Sequence, residues 1–176
     1  NTAAETSSEE WGNNYGDWNV DTIKFPGGLK PTFDFIKALG MKPGLWISIG
    51  AATDDAEVYQ SHPEWFVKNS PGVKGNIHGY DNDFYTSCFG TDWVEYIKDV
   101  IVNMSQQYGL AYTKLDFSIA ASAYVNNPEI SGCYATDHPY HKDHQESFIA
   151  IYQRVLELFD RLHKECPELF IDCTFE

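Results

Sequence analysis

The chain has 176 residues, 43% of them hydrophobic and 22% charged, which fits one globular domain with a sizeable core. Its net charge of −14, with Arg154 and Arg161 as the only arginines, argues against a nucleic-acid partner and an anionic ligand. No apolar run reaches the roughly 18 residues of a membrane span, and no basic segment with an apolar stretch opens the chain.

Residues 1–10 are rich in Thr, Ser, Ala and Glu without apolar periodicity, and they read as a flexible N-terminal end. Residues 11–176 read as one unit. Leu29 to Leu39 carries Phe33, Ile36 and Leu39 at helical spacing, and Gly40 is a natural stop. Met41 to Ile49 then reads as a strand. Asp92 to Tyr108 sets Val94, Ile97, Ile101 and Met104 on one helical face and ends at Gly109. Ala111 to Phe117 is the next strand. Residues 143–165 place Phe148, Ile151, Val155, Leu158, Phe159 and Leu162 on a helix that Pro167 ends, and Leu169 to Thr174 is the last strand.

Helix and strand thus alternate three times. The helix-to-strand links are short. The strand-to-helix links, after Ile49 and after Phe117, are far longer than usual. Long links at one end of the strands are the pattern of a (β/α)8 barrel, whose working loops gather on the C-terminal face. The length is below the roughly 250 residues of a full barrel. The expected fold is therefore α/β, a partial TIM barrel with about strands two to five. No Gly-rich phosphate loop is present, which argues against an open sheet binding a phosphorylated ligand.

Asp116 stands at the C-terminal end of its strand, two residues after Lys114, so both side chains share one face. A strand-end acid can cap a turn; at this end of a barrel strand it can also be a catalytic group. Trp11, Trp18 and Trp46 have two readings, core packing or flat faces for the C–H surfaces of sugars. The cysteines Cys88, Cys133, Cys166 and Cys173 show no C-x-x-C pairing that points to zinc. His138, His141 and His144 invite a metal reading, yet they stand beside Pro139 in a long loop. A solvated or substrate-lining loop is the preferred reading, with no metal and no cofactor expected.

Several segments resemble the α-galactosidases of glycoside hydrolase family 36, in the melibiase clan. They are Trp11 with Tyr15-Gly16-Asp17-Trp18-Asn19-Val20-Asp21, Lys24-Phe25-Pro26-Gly27-Gly28-Leu29-Lys30-Pro31, Leu39-Gly40-Met41-Lys42-Pro43-Gly44-Leu45-Trp46, His62-Pro63-Glu64-Trp65 and Tyr112-Thr113-Lys114-Leu115-Asp116-Phe117. The resemblance covers most of residues 11–117. It implies that Asp116 is the nucleophile of a retaining glycosidase, that Lys114 touches sugar hydroxyls and that Trp46 lines the pocket. Asp17 and Trp18 would belong to the substrate loop after strand one. Cys173 and Glu176, at the end of the last strand, are further candidates for substrate contact. The acid/base would be an aspartate after a sixth strand, beyond Glu176.

The chain also departs from that pattern. Glu9-Glu10-Trp11 stands where the family has Asp-Asp-Gly-Trp, and Ile47-Ser48-Ile49-Gly50 where Glu-Pro-Glu is common. Asp81 to Tyr85 lacks the family's arginine, and Cys173 is not followed by glycines. A divergent branch acting on a glycoside or oligosaccharide is expected, without nucleic-acid or membrane partners. Self-association of a full-length protein is compatible with this. The alternative is a non-catalytic carbohydrate-binding or structural barrel fragment.

Overall fold

The computed structural model describes residues 15–71, 84–116 and 131–174. The loose end expected at 1–10, together with Glu10, Trp11, Phe117 and Glu176, lies outside the described residues. The elements follow in chain order as α1 (Lys30–Ala38), β1 (Gly44–Ser48), β2 (Ala51–Thr53), α2 (Glu57–Ser61), β3 (Phe84–Thr86), α3 (Trp93–Tyr108), β4 (Tyr112–Asp116), α4 (His144–Glu165) and β5 (Phe170–Cys173). A single 3₁₀ turn occupies Pro63–Trp65.

β1, β4 and β5 form a parallel sheet in the order β1-β4-β5. α3 and α4 pack side by side as the helical layer that returns each strand to the same end. This is part of a (β/α)8 barrel. β1 begins three residues later than the sequence pattern suggests. Pro43 has no N–H for a ladder, and its carbonyl instead accepts from Ala111 and Tyr112 at 3.0 and 3.2 Å. The long link after β1 is not structureless. It holds the antiparallel pair β2–β3, α2 and the 3₁₀ turn.

The helices follow their apolar faces. α3 buries Val94, Ile97, Ile101 and Met104 as the spacing predicts, with Trp93 and Val102 beside them. Its stop is Gly109, whose φ of 74° is left-handed and whose N–H closes on Ser105. α4 starts at Asp143, whose side chain accepts from the Glu146 N–H at 2.9 Å, while Glu146 accepts from the Lys142 N–H. It buries Ile151, Val155, Leu158 and Leu162. On α1 only Phe33 is buried. Leu39, expected on that face, is 57% exposed, because the helix ends at Ala38 and Gly40 turns the chain at φ 77°. Among the described residues no helix is long and apolar enough to cross a membrane.

Both arginines of the chain serve the α3–α4 contact. Arg154 and Arg161 on α4 converge on Glu95 of α3, and buried Arg154 also pairs with Glu157 at 2.5 Å. The Arg154 guanidinium lies 3.9 Å from the centre of the Tyr140 ring. The hydrogen bond from Arg161, helped by Arg154, holds the Glu95 carboxyl below its ordinary range. A folded-state pKa below the unfolded one stabilises above the unfolded value, and the gain is lost as pH falls through the folded one. The Glu95 side chain is 39% exposed, so solvent screens the pair, and Glu95→Gln is expected to cost about 0.5–1 kcal/mol near neutrality. Urea unfolding at falling pH should show the two proteins converging in the acid range.

Candidate active site

In a strand, alternate residues face opposite sides. In β4, Thr113 and Leu115 are fully buried toward the core, which turns Tyr112, Lys114 and Asp116 to the other face. The register of the parallel sheet extends this into layers. Gly44, Tyr112 and Phe170 form one, Trp46, Lys114 and Asp172 the next, and Ser48 faces Asp116 at the C-terminal end. That layered face is the inner wall of a barrel.

Asp116 is held at both its backbone and its side chain. Its carbonyl accepts from the Ile49 N–H at 2.9 Å, which continues the β1–β4 ladder by one residue. Its carboxylate accepts from the Trp46 indole N–H at 2.8 Å. Lys114 sits 4.0 Å away, a supporting charge at the edge of ion-pair distance. The Asp116 side chain is 16% exposed and that of Lys114 42%, so the acid is sheltered but reachable. Trp46 is in turn packed by Tyr15 and Trp18, with ring centres at 5.8 and 6.4 Å. Residues from three separate segments therefore fix one carboxylate, with a cation beside it and an aromatic wall behind it. A carboxylate held in this way can attack an electrophilic carbon.

Ser48 shares this face, and sequence reasoning did not single it out. It is buried opposite Asp116, and its hydroxyl has no partner among the described residues. Only the register could reveal it.

Other candidates go elsewhere. Asp17, expected at a sugar, accepts from the backbone N–H groups of Glu57 and Val58 at 2.6 and 3.0 Å. It caps α2, whose own N-cap position is Ala56 and supplies no acceptor. Cys173 registers with Leu115 and so lies on the core side of the sheet, away from Asp116. Asp172 shares the Asp116 face, but one layer nearer the N-terminal end, where it accepts from the Tyr112 hydroxyl at 2.6 Å. Trp18 is buried against Trp46 and lines a cleft of about 300 Å³ beside α3, which Asp116 does not enter.

The histidine loop is not solvated as expected. His138 and His141 are 7% and 3% exposed and meet Cys88 and Cys133, both fully buried. The irregular segment before α4 folds inward over the loop after β1, so spacing along the chain gave no sign of it. His144 is separate, its Nε2–H donating to the Ser131 carbonyl at 2.7 Å. Hydrogen bonding from Cys88, then from His138 and His141, holds the Cys133 thiol well below its ordinary range, against burial. Burial pushes the Cys88 thiol up.

A carboxylate at the C-terminal end of a parallel strand, backed by an aromatic wall, stands where (β/α)8 barrels build their active sites. The Melibiase family model matches residues 7–175, and the chain belongs to that family. It is 37% identical to an Escherichia coli α-galactosidase over 57 residues, 32% of this chain and 8% of that protein. It is 30% identical to the α-galactosidase AgaA of Geobacillus stearothermophilus over 105 residues, 58% of this chain and 14% of that one. A solved structure of an AgaA variant in complex with stachyose superposes with a TM-score of 0.69 at 19% identity, covering 91% of this chain and 20% of that one. The matched stretches are thus 14% or less of the length of these two relatives.

The position of Asp17 makes a prediction. Asp17→Ala leaves two N–H groups of α2 without their acceptor and should cost about 1–2 kcal/mol. Asp17→Asn keeps an acceptor and should recover most of that in thermal unfolding. A sugar-binding role would instead raise KM with little change in thermal midpoint.

Proposed function

We propose that this chain is the part of a retaining α-galactosidase barrel that carries the nucleophile, Asp116. The observation that carries the reading is the oriented carboxylate, held by the Trp46 N–H with Lys114 alongside. The family membership and the α-galactosidases among its relatives supply the substrate class. A terminal α-galactoside is neutral, which suits a chain of net charge −14.

In the first step an Asp116 oxygen attacks the anomeric carbon. The bond to the leaving oxygen breaks, and a second carboxyl group gives that oxygen a proton. The product is a β-linked galactosyl ester on Asp116. The second group, now a carboxylate, takes a proton from water as the water attacks the same carbon and frees Asp116. Two inversions give net retention. The second carboxyl must lie roughly 5–5.5 Å from the first. On this face of the described strands the other acid is Asp172, a layer away and engaged by Tyr112. We therefore assign the acid/base to a later strand of the barrel. Trp46 orients the nucleophile and forms an apolar wall, and Lys114 supports its charge and reaches a sugar hydroxyl.

In the full-length protein that carries this chain, Asp116→Gly should lower aryl α-galactoside turnover on the order of 10⁴-fold. Azide should restore part of it and yield the β-galactosyl azide, because the small anion enters from the face that Asp116 vacates. Unchanged hydrolysis, or a loss that azide does not rescue in a folded variant, would remove Asp116 from the nucleophile's role. Trp46→Phe keeps the wall but deletes the N–H. It should lower kcat by about 10- to 100-fold with a smaller effect on KM.

A further inference from the structure

Four side chains outside the Asp116 site converge on one buried point. Cys88 follows β3, in the long link after β1. Cys133, His138 and His141 come from the irregular segment before α4. All four are buried, and one ligand atom from each lies within 4.8 Å of the other three. Cys88 Sγ is 3.4 Å from His141 Nε2, Cys133 Sγ is 3.5 Å from His138 Nδ1, and the two nitrogens are 3.1 Å apart.

These separations are those of a metal's coordination shell. Zinc binds sulfur at about 2.3 Å and imidazole nitrogen at about 2.0–2.1 Å, which gives tetrahedral edges of about 3.6 Å for S to N and about 3.3 Å for N to N. The measured edges agree within a few tenths of an ångström. The outward nitrogens, His138 Nε2 and His141 Nδ1, are buried and have no partner among the described residues. Placing the ring protons there leaves the lone pairs of both inward nitrogens, His138 Nδ1 and His141 Nε2, free for a metal.

The surroundings are built for this cluster. The Lys68 N–H points at Cys133 Sγ at 3.5 Å, a contact suited to a thiolate. A Cβ on Gly90 would lie 2.5 Å from His141 Cδ2, so only glycine leaves room for the ring. The backbone seats the segment on both sides, through Tyr134 N–H to the Lys68 carbonyl at 2.6 Å and Tyr140 N–H to the Gly90 carbonyl at 3.3 Å. Residues 131–143 have neither helix nor strand, yet Cys133, Ala135, His138 and His141 are buried. A segment that buries polar side chains without regular structure is one that a bound metal can organise.

We propose that Cys88, Cys133, His138 and His141 form a tetrahedral zinc site that pins the loop after β4 onto the loop after β1. Two thiolates and two imidazoles in a tetrahedron select zinc, and four protein ligands leave no position for water. The site is structural, and it holds the two loops together.

The test uses the full-length protein, purified without a metal-affinity tag or added metal. Elemental analysis after dialysis should find zinc, and a Cys88→Ser, His141→Ala variant should lose one equivalent per chain relative to it. Cys166→Ser, which alters a buried cysteine outside the cluster, should keep that equivalent. Cobalt(II) exchanged into the wild type should give the intense visible bands of a tetrahedral ion with sulfur-to-cobalt charge transfer. The proposal fails if the wild type and the folded double variant carry equal zinc, or if cobalt yields only a weak octahedral spectrum. Peptide mapping that finds a Cys88–Cys133 disulfide would also overturn it. Where the double variant does not fold, the wild-type cobalt spectrum decides.

Discussion

The structure depends on the side-chain alternation of β4 within a fixed parallel register. Thr113 and Leu115 are completely buried, so the chain cannot slip by one residue without turning Lys114 and Asp116 into the core. Burying an ionised side chain without full compensation costs several kcal/mol, so the slipped register is disfavoured. The same packing that stabilises the sheet therefore dictates which face carries the charges. Trp46 and Ser48 reach that face by the same rule, one strand away.

The register also explains why the acid is held so firmly. The Ile49 N–H closes on the Asp116 carbonyl, and the Ile49 carbonyl accepts from the Trp93 indole at 2.7 Å. Trp93 is fully buried at the start of α3. A helix start, a strand end and a second strand end thus meet at a single residue, Ile49. The carboxylate at the tip of β4 inherits the rigidity of the core, although the long loops begin there. Preorganisation of this kind is what a nucleophile needs, because a misplaced attacking atom loses most of its advantage.

What the sequence revealed follows from the range of each interaction. The faces of α3 and α4 were legible because helical periodicity is local, and Lys114 and Asp116 on one side needed only the period of a strand. The role of Asp17 was not legible, because its partners on α2 lie 40 and 41 residues away. The face of Cys173 depends on register with Leu115, which no local pattern encodes. The Cys88 and His141 contact spans 53 residues and two loops. Neither loop carries the paired-cysteine spacing by which such clusters are usually found. Leu39 failed for a different reason. Its spacing matched the helix, but the helix ended one residue before it.

The barrel rim must combine two demands that conflict. Long loops supply binding surface, yet ordering them costs conformational entropy at every residue. In this chain the cost is met by contacts that do not involve Asp116. Asp17 caps a short helix in the first loop, Lys68 pairs with Asp137 across the two loops, and the cysteine–histidine cluster joins the loops at a buried point. Each lies off the inner wall that carries Trp46, Lys114 and Asp116. Loop order and the placement of the Asp116 carboxylate thus rest on different residues. Substitutions at the rim can then reshape the loops, while the carboxylate stays where the register of β4 puts it.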